Sequence, residues 1–97
     1  MTPNYSIRKS AKADLESIWL YTYNKWGSTQ ADQYLEALIS KFEWLAHNPN
    51  LGINRDDIKL GYHCFPEGKH LIFYTIQKKQ IEIIGIPHQR MDIINHL

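Results

Sequence analysis

The side chains of this chain best suited to acid-base chemistry are five histidines, His47, His63, His70, His88 and His96. Imidazole is the side chain that exchanges protons near neutral pH. If Lys78 and Lys79 form the loop of the last predicted hairpin, His88 lies just beyond the residue opposite His70, near one end of a sheet. Two imidazoles there could act as general base and general acid in RNA cleavage. The favoured interpretation is structural, with His70 beginning a strand and capping a turn and His88 bonding near Pro87.

The histidines and the single cysteine do not have the spacing of a metal site. Zinc ligands are usually paired a few residues apart, and no such pairs occur here. His63 and Cys64 are adjacent in a strand pattern, so their side chains point to opposite faces. We therefore expect no metal and no cofactor. A lone cysteine forms no internal disulfide, and Cys64 is expected to pack as a small apolar residue.

Length, charge and hydropathy limit the classes of function. The 97 residues predict one domain spanning positions 1–97. A net charge of +1 provides no strong basic field, so we expect no direct sequence-specific binding to nucleic acid. The sequence has neither a signal-peptide pattern nor an apolar run long enough to span a membrane. These features predict a soluble, cytoplasmic protein.

The first half of the chain has the pattern of one strand followed by a helix. Apolar and polar residues alternate over Tyr5–Arg8, which predicts a half-buried strand. Apolar residues then recur at helical spacing, which predicts a first helix over about Ala11–Trp26. Ser10 is expected to be its N-cap, and Asp14 is expected to lie in its first turn.

A second helix is predicted to follow at once and form a tight hairpin with the first. Gly27 is the expected left-handed residue between them, and Ser28 or Thr29 is the expected cap. The second helix should end near His47, because Pro49 disfavours a helical residue before it. The aromatic residues Trp19, Tyr23, Trp26 and Tyr34 are expected to pack within this hairpin rather than stack on bases.

The second half of the chain predicts a surface loop over residues 50–60 and then three strands. The strand-like runs are Tyr62–Phe65, His70–Gln77 and Gln80–Ile86, with turns at Pro66–Lys69 and Lys78–Lys79. The predicted fold is therefore α+β: an N-terminal strand, a two-helix hairpin, a three-stranded antiparallel meander and a short C-terminal tail.

If Lys78 and Lys79 form the loop of the last hairpin, they fix which residues face each other across it. One face would carry the pairs Ile76–Ile81, Tyr74–Ile83 and Ile72–Gly85, and the other Thr75–Glu82, Phe73–Ile84 and Leu71–Ile86. The first face should receive the helices. The second is partly apolar and needs a cover. That cover is either the segment Arg90–Leu97, through Met91, Ile94 and Leu97, or a partner chain.

Several short blocks have an order and spacing that general strand and helix rules do not require. They are Ala11-x-Ala13-Asp14-Leu15, Ile18-Trp19, Trp26-Gly27, Ala31, Tyr34, Leu45-Ala46, Asn48-Pro49-x-x-Gly52, Gly61-Tyr62, Gly68-x-His70-x-Ile72-Phe73-Tyr74 and His88-Gln89-Arg90-Met91-Asp92. Together they resemble the ParE toxins, within the RelE/ParE superfamily of bacterial toxin-antitoxin systems.

The resemblance implies a non-enzymatic toxin that binds and inhibits DNA gyrase, most simply the gyrase A subunit, and is neutralised by a ParD-like antitoxin. By the same resemblance, the candidates for gyrase contact are His88, Arg90, Met91 and Asp92. The alternative for this block is a structural helix start, with Asp92 near the N-terminus and Met91 in the core. The candidates for antitoxin binding are Leu71, Phe73, Ile84, Ile86, Trp19 and Tyr23.

Two alternatives to gyrase inhibition stay open. RelE-like relatives cleave messenger RNA, for which His70, His88 and Arg90 are the candidate catalytic residues. ParE-like sequences typically have Arg where this chain has His63 and Gly85, and these departures count against RNA cleavage. They also leave open an attenuated toxin that acts mainly as an antitoxin-binding partner.

Overall fold

A mixed sheet with a helical hairpin packed on one face forms the core of the computed structural model, which describes residues 4–97. Its elements are β1 Asn4–Ile7, α1 Lys9–Trp26, α2 Ser28–His47, a 3-10 turn Pro49–Leu51, β2 Ile53–Asn54, β3 Tyr62–Glu67, β4 His70–Ile76, β5 Gln80–Gly85 and α3 Ile93–His96. The strand order is β1-β5-β4-β3-β2, with β1 parallel to β5 and the other pairs antiparallel. The predicted α+β fold is confirmed, and β2 is an additional strand within the predicted loop.

The start of α1 differs from the predicted one. The helix begins at Lys9, so Ser10 is not its N-cap and Asp14 is not in its first turn. Ser10 Oγ instead donates to the carbonyl of Ile84 at 2.9 Å, and an Asp14 carboxylate oxygen accepts the N–H of Ile86 at 2.8 Å. Both polar side chains therefore tie α1 to β5 and its continuation.

The junction between α1 and α2 is a single residue. Gly27 has φ 93 and ψ 175, a backbone that L side chains rarely adopt, and it is the N-cap of α2. The predicted capping by Ser28 or Thr29 is wrong, since α2 begins at Ser28 without a side-chain cap bond. The tight hairpin and the end of α2 at His47 are confirmed. No helix in residues 4–97 has the length and apolar character needed to cross a membrane.

The last hairpin contains a β-bulge that the predicted register lacks. The pairs Ile76–Ile81, Thr75–Glu82 and Tyr74–Ile83 are confirmed. Beyond them the register shifts by one residue, so the predicted pairs Phe73–Ile84, Ile72–Gly85 and Leu71–Ile86 are wrong, and Phe73 pairs with Gly85. An inserted residue moves later side chains to the other face. Ile86 accordingly lies in the helix-side core, 2% exposed, and not on the outer face.

The outer face of the sheet is covered by the chain itself. Its buried residues are Tyr62, Cys64, Phe73 and Ile84, and Ile58, Leu71, Ile93 and Leu97 pack against them. The predicted cover by the C-terminal segment is therefore confirmed. It is made by Ile93 and Leu97, whereas Met91 is 45% exposed and Ile94 is 74% exposed.

Candidate functional site: a histidine pair, an exposed turn and a helical groove

The bulge brings His70 and His88 directly opposite each other in an antiparallel bridge. Their ring centroids are 5.3 Å apart with an interplanar angle of 81°. The Tyr34 hydroxyl lies 2.7 Å from His70 Nδ1, and the N–H of Arg90 donates to His88 Nδ1 at 3.1 Å. The predicted proximity of the two histidines is confirmed, and each ring is held by a neighbouring group.

The surroundings of this pair limit its chemistry. Burial, together with the nearby His88, lowers the pKa of His70 from its ordinary value of 6.5 to about 4, so the ring is neutral near pH 7 and a weak base. A cleft of about 430 Å³ beside the pair has a polar lining of Asp14, Ser17, Tyr21, His70, His88 and His96. Within residues 4–97, no Arg or Lys lines this cleft. Phosphoryl chemistry needs such cations, so the arrangement is poorly suited to RNA cleavage.

The lowered pKa of His70 predicts that acid destabilises the protein. In the unfolded state His70 binds a proton below about pH 6.5, whereas in the folded state it binds one only below about pH 4. The free energy of unfolding therefore falls as the pH drops through this window. The ring is partly exposed, which reduces the expected loss to about 1 kcal/mol. Urea unfolding at about pH 7 and about pH 4.5 measures it, and His70→Gln should flatten the difference.

The matched control is His47→Gln, because His47 is an exposed histidine on α2 whose Nδ1 meets the Glu43 carbonyl. It should leave the difference between the two pH values unchanged. Equal pH dependence in the wild-type protein and in His70→Gln would contradict the role of His70.

His63 and Cys64 lie on opposite faces of β3, as predicted. The His63 ring stacks on Tyr74 on the helix side, with centroids 5.5 Å apart and an angle of 23°. Cys64 is buried in the outer-face cluster, and burial raises the pKa of its thiol to about 11. It therefore packs as an unreactive apolar residue. Residues 4–97 contain no group of three or more His, Cys, Asp or Glu side chains placed to hold a metal ion.

The four candidates for gyrase contact form one turn between β5 and α3. The turn is fixed by backbone bonds from Gln89 N–H to the Lys69 carbonyl and from Met91 N–H to the His88 carbonyl, both 2.9 Å. Asp92 is the N-cap of α3, so the structural role considered for it is confirmed. The expectation of Met91 in the core is wrong. Arg90, Met91 and Asp92 are exposed, while His88 is half-buried.

The segment after this turn is anchored to the rest of the fold at its far end. His96 Nε2 lies 3.0 Å from the Asp14 carboxylate, which also accepts the Ile86 N–H. Leu97 and Ile93 pack on the outer-face cluster. Residues 88–97 are thus fixed both at the turn and at α3.

A groove on the surface of the helical hairpin is formed by residues of both α1 and α2. It is lined by Leu15, Glu16, Trp19, Leu20, Leu35 and Ile39 and has a volume of about 550 Å³. Trp19 Nε1 donates to Asp32 Oδ1 at 2.9 Å, and the Trp19 ring stacks on Tyr23 with centroids 5.1 Å apart. Two of the antitoxin-binding candidates, Trp19 and Tyr23, therefore lie in or beside this groove, which we call the hairpin groove.

The other antitoxin-binding candidates do not form a free surface. Phe73, Ile84 and Ile86 are buried, and Leu71 is half-buried beneath the C-terminal segment. The bulge and the folded-back α3 are the physical reasons. Sequence reasoning missed the groove residues Leu15, Leu20, Leu35 and Ile39 as a surface. The available signal was the consecutive run Ile18-Trp19-Leu20-Tyr21, which a helix cannot bury on one face.

Comparison with known proteins assigns the family. The family model described as ParE toxin of type II toxin-antitoxin system, parDE, matches residues 5–93. Proteins named Toxin ParE1 from two Mycobacterium tuberculosis strains are 38% identical to this chain over 98 residues, and the alignment covers 100% of each chain. A protein named Toxin ParE1 from Caulobacter vibrioides is 36% identical over 93 residues, and the alignment covers 96% of each chain. The fold resembles a structure described as the chromosomal ParDE TA system from P. aeruginosa, with TM-score 0.76 and 18% identity over 90% of this chain and 96% of that one. The chain therefore belongs to the ParE family of toxins of type II toxin-antitoxin systems.

Proposed function

We propose that this toxin acts by binding DNA gyrase, most simply the gyrase A subunit, and blocking the rejoining step of its DNA breakage cycle. The observation that carries the proposal is the ordered, solvent-facing turn Arg90–Asp92, followed by the exposed Ile94. A cation and two apolar side chains on an ordered segment suit recognition of a protein surface. Family membership supports the gyrase target.

We infer that the protein inhibits by binding and not by catalysis. His70 is too weak a base near neutral pH to remove a hydroxyl proton efficiently. The cleft beside it is also lined by Ile18, Ile86 and Met91, and no Arg or Lys is among its described lining residues to neutralise a phosphate. The geometry thus supports partner recognition better than bond cleavage.

The proposed antagonist is a ParD-like antitoxin, which would form a hetero-oligomer with this chain. The hairpin groove is the best-suited docking site, because it is open and mainly apolar and offers the Trp19–Tyr23 stack at its side. An amphipathic helix can place apolar side chains in such a groove. Docking there requires no rearrangement of the covered sheet face.

The test incubates the purified protein with gyrase, ATP and supercoiled plasmid, and then strips protein from the DNA with detergent and protease. Under the proposal the plasmid is linearised, because gyrase is trapped with its DNA broken. Gyrase without the toxin is the control and should leave the plasmid supercoiled. Intact plasmid at saturating toxin would contradict gyrase inhibition.

The direct pairing of His70 with His88 sustains one alternative, a RelE-type endoribonuclease that also uses Arg90. Primer extension on translated messages would then show cuts that the double change of His70 and His88 to Ala abolishes. An attenuated toxin that serves mainly to bind its antitoxin would leave both plasmid and messages intact while still binding the antitoxin.

A further inference from the structure

Gly85 leaves space that Leu97 occupies. A Cβ added at Gly85 would lie 2.7 Å from Leu97 Cδ2 and 3.4 Å from Asp14 Oδ2. The first distance is shorter than Cβ atoms tolerate, so a side chain at position 85 requires the flexible end of the Leu97 side chain to shift. Leu97 therefore uses space on the sheet that a side chain at position 85 would take.

The short helix α3 depends on the packing of Leu97 on the sheet. It has four residues, far fewer than an isolated helix requires for stability in water. Its order must come from tertiary contacts, namely Ile93 and Leu97 on the outer-face cluster and the approach of His96 Nε2 to the Asp14 carboxylate at 3.0 Å. Asp14 is itself fixed by the Ile86 N–H at 2.8 Å. Gly85 and Asp14 thus lie under two of the contacts that hold α3.

The anchoring side chains leave the other side of the segment free. Met91 and Ile94 remain exposed although they are large and apolar, and Arg90 is exposed beside them. Met is among the residue types enriched in protein–protein interfaces. The same segment therefore has one side attached to the sheet and another that faces solvent.

We propose that Gly85 and Asp14 are positioning residues that hold residues 90–96 in the conformation that binds the target, with Met91 and Ile94 on the side that contacts it. The proposal deepens the gyrase-binding function and rests on it. An ordered segment binds more tightly than a loose one, because the entropy cost of ordering it is met during folding.

The test is Gly85→Val, which suits a strand backbone and displaces Leu97. Amide hydrogen exchange at His96 and Leu97, whose N–H groups bond the carbonyls of Asp92 and Ile93, should accelerate about tenfold or more. The toxin concentration that half-maximally linearises plasmid should rise about tenfold. Antitoxin affinity should stay unchanged, since the hairpin groove lies elsewhere. Asp14→Asn should act in the same direction, because it removes the charge that faces His96.

Gln80→Val is the matched control, since it adds a β-branched residue at the exposed start of the same strand. It should change neither exchange nor inhibition. If both substitutions act by removing the packing of Leu97 on the sheet, adding Leu97→Ala to Gly85→Val should change amide exchange and inhibition little further. If Gly85→Val fails to fold, Asp14→Asn and Leu97→Ala carry the test.

Unchanged exchange at α3, or faster exchange with full gyrase inhibition, would overturn the positioning role. A wild-type protein that does not inhibit gyrase would instead refute the proposed function and the presentation of residues 90–96 to that target. The amide exchange measurement would still decide whether Gly85 permits the packing of Leu97 on the sheet.

Discussion

Replacing Leu20 with Asp is expected to weaken antitoxin binding by about 100-fold or more while leaving the toxin folded. Leu20 lines the hairpin groove and is 55% exposed, so the free protein loses little core packing. In the complex the new carboxylate would be buried among Leu15, Leu35 and Ile39 without a partner. An unpaired buried charge costs several kcal/mol, and each 1.4 kcal/mol is about tenfold in affinity.

The control for Leu20→Asp is Leu60→Asp. Leu60 is 85% exposed and precedes β3, outside the groove, so the same chemical change there should alter affinity by less than about twofold. Titration calorimetry with a purified ParD-like antitoxin measures both variants, and co-expression should show that Leu20→Asp escapes neutralisation. Equal affinities for the two variants would place the antitoxin on another surface.

Much of the fold could be predicted because local rules determine it. Gly27 marks the reversal between α1 and α2, since only a glycine adopts its positive φ without strain. Pro49 ends α2, because its ring disfavours a helical conformation in the residue before it. The turn lysines Lys78 and Lys79 fix the first three pairs of the last hairpin. Each of these features depends on a few adjacent residues.

The bulge could not be predicted from the pattern of the last strand. Ile83, Ile84 and Ile86 are all apolar, so either phase of the strand satisfies a core, and alternation does not select one. The structure places Ile83 and Ile86 on the helix side and Ile84 on the outer side. Tertiary packing, and not propensity, decides this arrangement.

The two positions that depart from the typical ParE pattern, His63 and Gly85, make contacts that the sequence did not reveal. His63 stacks on the buried Tyr74, and among residues 4–97 its buried Nδ1 has no hydrogen-bond partner. Gly85 admits Leu97 and therefore permits α3 to cover the sheet. Both contacts join residues on different elements, so they could not be predicted from the local sequence.

Placing Asp at both Met91 and Ile94 is expected to reduce gyrase inhibition by about 100-fold or more. Burying an apolar side chain of this size in an interface contributes about 1.5–3 kcal/mol, and the new carboxylates would add a desolvation cost. Stability should change little, because both side chains are exposed in the free protein. The plasmid linearisation assay measures the loss, and growth on induction provides an independent readout.

The matched control for this pair is Leu51→Asp, because Leu51 is 55% exposed in the 3-10 turn after α2, remote in sequence from the C-terminal segment. It should keep full inhibition. Antitoxin affinity should be unchanged in the Met91, Ile94 double variant, which separates lost target contact from misfolding. Full inhibition with both Asp residues present would show that gyrase does not contact this side of the segment, since two buried carboxylates could not be accommodated without a measurable loss of affinity.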